Sequence, residues 1–83
     1  MKKKVWSIYC GNLLVDDPIE RCLFNAVVDR QEHFDSDLAY VLTAPKGAVI
    51  TQVPTQKPNE TRYIISGPKT LEEVIVSEYE VDC

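Results

Sequence analysis

The segment from Asp17 to Glu20 constrains the fold of this chain most strongly, because it carries a full helix-start signal. Asp17 is a favourable N-cap, Pro18 suits the first helical position, and Glu20 falls three residues after the cap. A helix is therefore predicted over residues 18–32. Its core-facing stripe would span an arc of about 140° and contain Ile19, Cys22, Leu23, Ala26 and Val27.

Two apolar residues of this segment, Phe24 and Val28, fall outside the stripe. Either the stripe is broad, or these side chains form a second apolar contact. Both interpretations are open from sequence, and the second makes Phe24 and Val28 candidate partner-binding residues.

In the rest of the chain, apolar and polar residues alternate in short runs bounded by turn-forming residues, a pattern typical of β-strands. Pro45 and Gly47 predict a type I turn with a G1 bulge over residues 44–47, joining two paired strands. Residues 33–37 are expected to be a polar connection, and residues 54–60, with two prolines, an exposed loop. The predicted strands are 5–10, 38–43, 48–53 and 61–66.

The last segment supports two interpretations. Thr70 and Glu73 form a capping box and favour a helix, whereas Val74-Ile75-Val76 is a β-branched run that favours a strand. We expect one helical turn over residues 70–73 and a strand over 74–81, with a helix throughout as the alternative.

Together these elements predict a small α+β protein in the order β-α-β-β-β-β. We expect a mainly antiparallel meander with the helix over residues 18–32 packed on one face. The chain of 83 residues is expected to be one domain, residues 1–83. Such a chain buries roughly 60–65% of its unfolded surface, so its core is thin.

The net charge of −4 arises in the final fourteen residues, which hold five acids and no base. On a strand, Glu78, Glu80 and Asp82 would form a carboxylate row with a spacing of about 6.7 Å, extended by the terminal carboxylate of Cys83. Ile75, Tyr79 and Val81 would then face the core. The row either keeps a solvent-facing strand from aggregating, or it binds a basic partner. The most specific version of the second hypothesis is that the row imitates the phosphate backbone of a nucleic acid.

Catalysis is not expected from this chain, and neither is a metal site or a cofactor. His33 is the only histidine, and Cys10 and Cys22 occupy predicted core positions. His33, Asp35 and Asp37 could hold a divalent ion on an extended segment, but such a trio is common in solvated loops. The other end groups are expected to be loose: a frayed tail of Lys2, Lys3 and Lys4, and a terminal thiol at Cys83.

The composition favours a non-catalytic, acidic protein–protein interaction module. We expect an inhibitor or modulator of a nucleic-acid-handling or other basic-surfaced protein, of the kind encoded by phages and mobile elements, that is cytoplasmic and contacts neither nucleic acid nor membrane directly. One alternative is a homo-oligomeric structural protein, possible as a homodimer through the Phe24/Val28 patch and an open sheet edge. The other is a small-molecule-binding domain whose pocket between sheet and helix is lined by Trp6, Tyr9, Phe24, Tyr40 and Tyr63.

Overall fold

The computed structural model describes residues 1–82, and within that range it contains a five-stranded antiparallel sheet and two helices. The α+β class and the antiparallel sheet are thus confirmed, but the element order is β-α-β-α-β-β-β. The strands lie side by side in the order second, first, fifth, fourth, third. The elements are β1 Lys2–Asn12, α1 Pro18–Arg21, β2 Cys22–Val28, α2 Gln31–Val41, β3 Val49–Val53, β4 Glu60–Gly67 and β5 Thr70–Asp82.

The predicted helix over residues 18–32 is wrong beyond its first turn. The side chain of Asp17 does cap the helix, since its Oδ1 accepts a hydrogen bond from the Ile19 N–H at 2.9 Å. However, α1 ends at Arg21 and the chain continues as the edge strand β2. The apolar outliers of the helical stripe, Phe24 and Val28, are alternate positions of this strand, and their side chains are half-buried.

The second correction concerns α2, which replaces the predicted connection over residues 33–37 and the predicted strand over 38–43. Phe34, Leu38 and Val41 have the spacing of a helical stripe, and all three pack into the core cluster. Arg30 occupies the N-cap position without a side-chain capping bond, so the sequence lacks the usual signal for a helix start.

The last segment is a strand over its whole described length, which confirms the strand prediction and overturns the helical turn over residues 70–73. Thr70 pairs with Gly67 across a tight β4–β5 hairpin whose loop is Pro68-Lys69. Pairing on both sides, to β1 and β4, outweighs the local capping box of Thr70 and Glu73.

The turn before β3 differs from the predicted type I turn. The Ala48 N–H donates to the Pro45 carbonyl at 3.0 Å, which places Gly47 at the third turn position with a φ of 86°. This is the glycine position of a type II turn. The turn joins α2 to β3 rather than two paired strands, whereas the predicted strand over residues 61–66 and the loop after Val53 are confirmed.

The core lies between α2 and one face of the sheet. The β1–β5 register sets Ile8 opposite Val76 and Cys10 opposite Val74, so even-numbered residues of both strands point to the helix. The buried cluster is small and consists of Ile8, Cys10, Val41, Ile65, Val74 and Val76. Across residues 1–82, no helix has the length and apolar character needed to span a membrane.

Candidate functional site

A solvent-open cleft of about 580 Å³ lies beside α2 on the core face of the sheet. Trp6 of β1, Tyr63 of β4 and Val76 of β5 line it from the sheet, and Phe34 and Leu38 line it from α2. The remaining lining residues are Pro58, Asn59, Thr61 and Glu78. The cleft thus combines three aromatic side chains with one carboxylate.

The aromatic wall is built by packing between β1 and the first turns of α2. The rings of Trp6 and Phe34 stack with their centroids 5.4 Å apart and an interplanar angle of 19°. Trp6 has Val28 opposite it on β2 and Glu78 opposite it on β5, so the three residues form one line across three strands. The wall therefore lies next to the carboxylate of Glu78.

The ammonium group of Lys4 already occupies the corner of the cleft where Trp6 and Glu78 meet. The Nζ atom of Lys4 lies 3.0 Å from Oε1 of Glu78 and 6.0 Å from the centroid of the Trp6 ring. Both charged side chains are about half exposed, at 51% for Lys4 and 52% for Glu78. The corner thus offers an ammonium group both a carboxylate and an aromatic face.

Loop 54–59 closes one side of the cleft because it is fastened to β5. The Glu78 N–H donates to the Asn59 carbonyl at 2.9 Å, and Asn59 Nδ2 donates to the Glu78 carbonyl at 3.1 Å. Within the loop, Thr55 Oγ1 lies 3.0 Å from the carbonyl oxygens of both Lys57 and Glu60, which share its one hydroxyl proton. These bonds fix the backbone of Glu78 relative to the loop and hence to the cleft wall.

The carboxylate row exists, but on the opposite sheet face from the one predicted. Glu78, Glu80 and Asp82 share the face of Val74 and Val76 and extend along β5 from the cleft. Side chains of a strand alternate between the two faces of the sheet, so the burial of Val74 and Val76 places the even-numbered acids of β5 on the same face. The residues predicted to face the core, Ile75, Tyr79 and Val81, therefore lie on the uncovered face.

The row is also less acidic than the sequence suggests, since lysines of β1 lie beside it. Glu80 pairs in register with Lys4, and Asp82 with Lys2. The predicted frayed tail is wrong, because Lys2, Lys3 and Lys4 all belong to β1. Lys3 forms an ion pair with Asp29 and lowers the pKa of that carboxyl.

Glu72 and Glu73 are not helix-start residues. Glu73 forms an ion pair with Arg62 of the neighbouring strand β4. Glu72 accepts a weak hydrogen bond from the Cys10 thiol at 3.6 Å. Both carboxylates stabilise the sheet locally, which leaves Glu78, Glu80 and Asp82 as the candidate acidic site.

The predicted Phe24/Val28 patch is half-buried on β2. Phe24 packs in a tilted ring contact with Tyr40, with centroids 5.8 Å apart, and borders the buried core. Phe24 and Tyr40 line a smaller cleft of about 300 Å³ at the other side of α2. The aromatic residues predicted to share one pocket are thus divided between two clefts, and Tyr9 lies on the uncovered sheet face.

The structure places Cys10, Cys22 and His33 on three different elements. Burial, followed by the neighbouring Glu72 carboxylate, raises the pKa of Cys10 to about 11, so its thiol is protonated at neutral pH. Cys22 is exposed on the edge strand, contrary to its predicted core position. His33, Asp35 and Asp37 lie on a helix, where alternate residues diverge, and Cys83 lies outside the described residues.

Among residues 1–82, no group of three or more potential metal ligands comes together.

Comparison with family models, with curated proteins and with solved structures finds no match to this chain. The cleft, with Trp6, Phe34 and Tyr63 around the Glu78 carboxylate, is therefore the candidate site that the geometry itself provides. Sequence reasoning missed Phe34, because residues 33–37 were predicted to be a polar connection.

Proposed function

We propose that this protein is a non-catalytic interaction module that binds a basic segment of another protein, with a Lys or Arg side chain inserted into the aromatic cleft. The observation that carries the proposal is the position of Lys4, whose ammonium lies between the Trp6 ring and the Glu78 carboxylate. An arginine or lysine of a partner would find the same two groups there.

The chemistry of the cleft selects for a cation with an apolar stem. Trp6, Phe34 and Tyr63 can cover the methylene groups of such a side chain, while Glu78 neutralises its charged end. Desolvation on binding strengthens the ion pair, and charged hydrogen bonds contribute about 1.5–3 kcal/mol each.

The carboxylate row supports a partner with more than one basic residue, which would compete with Lys2 and Lys4 of β1 for these carboxylates. Glu80 and Asp82 continue from Glu78 along β5, with a spacing of about 6.7 Å that suits alternate residues of an extended chain. A nucleic-acid-handling protein is the partner class we propose, because its binding groove displays Lys and Arg. The protein would then act as an inhibitor or modulator of that partner, in the cytoplasm.

Calorimetric titration with a short peptide rich in Arg and Lys tests this proposal. Glu78→Gln should weaken binding about tenfold or more, given the loss of one charged hydrogen bond. Glu20→Gln is the matched control, because Glu20 is exposed on α1, outside the cleft, and the change in net charge is the same. Equal affinities of the two variants for the peptide would contradict the proposal.

Lys4→Gln should have the opposite effect, because Lys4 competes with the partner for Glu78 and Trp6. Removal of this competing cation should tighten peptide binding by about two- to fivefold, from a cation–π contact of roughly 0.5–1 kcal/mol. Weaker binding by Lys4→Gln would show that the lysine belongs to the binding surface.

A small-molecule ligand is a second candidate function, and the cleft volume favours it. About 580 Å³ falls within the range typical of ligand pockets. Native mass spectrometry of the purified protein separates the two proposals. A co-purifying small molecule that is lost in Trp6→Ala supports the ligand pocket, whereas a clean mass with retained peptide binding supports the basic partner.

A further inference from the structure

We propose that the edge strand β2 pairs with β2 of a second copy of this chain. The two strands would run antiparallel about a two-fold axis at Asn25, which would join two five-stranded sheets into one of ten strands. The proposal rests on three features of β2: an outer edge without lysine or proline, an apolar sequence that is complementary to itself, and the exposed apolar side chains around it.

The outer edge of β2 carries none of the lysines or prolines that protect many sheet edges, although the register with β1 shifts at Leu23, as in a β-bulge. Among residues 1–82, β1 is the one strand that pairs with β2, so half of the backbone N–H and C=O groups of β2 point away from the sheet. Its sequence, CLFNAVV, contains no charged residue and no proline. Natural proteins that keep such an edge unpaired place lysine, proline or an inward charge on it.

The sequence around Asn25 is complementary to itself when read antiparallel. With Asn25 opposite its own copy, Phe24 faces Ala26 and Leu23 faces Val27. Beyond the strand the pairing ends, because Arg21 belongs to α1 and its Nε donates to the Val15 carbonyl at 2.8 Å, and Asp29 pairs with Lys3 of its own chain. Thus apolar residues meet apolar residues along the strand.

Large apolar side chains are exposed along this edge. Leu23 is 54% exposed and Val27 is 63% exposed, both within β2. Tyr40 is 72% exposed on α2, which packs against β2 and holds the Tyr40 ring beside Phe24. A second copy would remove part of this surface from water, which stabilises association by roughly 25 cal/mol per Å² before its entropic cost.

The opposite edge of the sheet is a poorer candidate. Strand β3 spans only Val49–Val53, and Pro54, which has no N–H to donate, follows it directly.

The residues that line the large cleft all lie outside β2. Pairing through β2 therefore leaves the cleft open, and the dimer and the basic-partner proposal stand or fall separately.

Sedimentation velocity over a range of protein concentrations tests the interface. The wild-type chain should show a reversible monomer–dimer equilibrium, and Val27→Lys should weaken the dimer at least tenfold. Val49→Lys is the matched control, because Val49 is 64% exposed on the opposite edge strand, β3. A monomeric wild type at all concentrations overturns the proposal, as does a dimer that Val49→Lys breaks and Val27→Lys leaves intact.

Disulfide cross-linking tests the register. Residues directly opposite each other in an antiparallel pair have Cα atoms about 4.5–5.5 Å apart, which a disulfide can bridge. In a Cys22→Ser, Cys83→Ser background, Asn25→Cys should give a covalent dimer on mild oxidation. Thr51→Cys, at the centre of β3, should stay monomeric under the same conditions. Equal cross-linking of the two variants would overturn the register.

Discussion

Two isoleucines test the corrected fold, because the predicted long helix and the observed β2 treat them differently. In a helix over residues 18–32, Ile19 would face the core. In the structure Ile19 is 86% exposed, whereas Ile8 of β1 is fully buried between α2 and the sheet. The substitutions Ile8→Ala and Ile19→Ala remove the same atoms, so any difference reports burial.

The expected costs follow from these two environments. Truncation of a fully buried isoleucine to alanine costs about 2–5 kcal/mol, through lost burial and the cavity that it leaves. A domain of this size has roughly 4–12 kcal/mol of stability in total. Ile8→Ala should therefore lower Tm by about 10–40 °C, at about 4–8 °C per kcal/mol.

Ile19→Ala should change the free energy of unfolding by no more than about 0.5 kcal/mol, as at other exposed positions. Urea unfolding followed by circular dichroism, at protein concentrations low enough to keep the chain monomeric, measures both variants. A cost for Ile19→Ala close to that for Ile8→Ala would refute the reasoning, because Ile19 would then lie in the core.

Two further predictions concern the cysteines. At neutral pH a thiol reagent should label exposed Cys22 rapidly and buried Cys10 only upon unfolding; rapid labelling of both in the folded protein would contradict the placement of Cys10. Because the folded pKa of Cys10 is about 11, against an ordinary value of 9.0, the unfolded chain loses this proton first as pH rises. The contribution of Cys10 to stability should thus be complete below about pH 9 and lost towards pH 11, and Cys10→Ala should show a smaller decline in unfolding free energy over that interval.

Local signals predicted where α1 begins but not where it ends. Asp17 and Pro18 did mark a helix, but the amino-acid pattern of Cys22–Val28 fits an edge strand as well as an amphipathic helix. Phe24 and Val28 were the detectable signal for the strand, since with Ala26 they repeat every second residue. Pairing with β1, a long-range interaction, decides between the two structures.

The geometry of the candidate site followed from the sequence only in part, for a related reason. The strand around Glu78 followed from its β-branched neighbours. Which face of the sheet carries the Glu78 side chain depends, however, on the register with β1, which places Val76 opposite Ile8. The N-terminal lysines beside the carboxylates could not be assigned from sequence, because nothing local shows that β1 lies next to β5. Trp6 and Tyr63 were predicted to line a pocket, whereas Phe34 required α2 to be recognised as a helix.

The central claim is that the cleft binds a cationic side chain, and Trp6, the only tryptophan of the chain, can report it directly. The measurement is Trp6 fluorescence during titration with an arginine-containing peptide and with the same peptide carrying neutral citrulline instead. We predict a saturable change with the arginine peptide that weakens with added salt and in Glu78→Gln, and little change with citrulline. Equal responses to both peptides, or no response to either, would contradict the account.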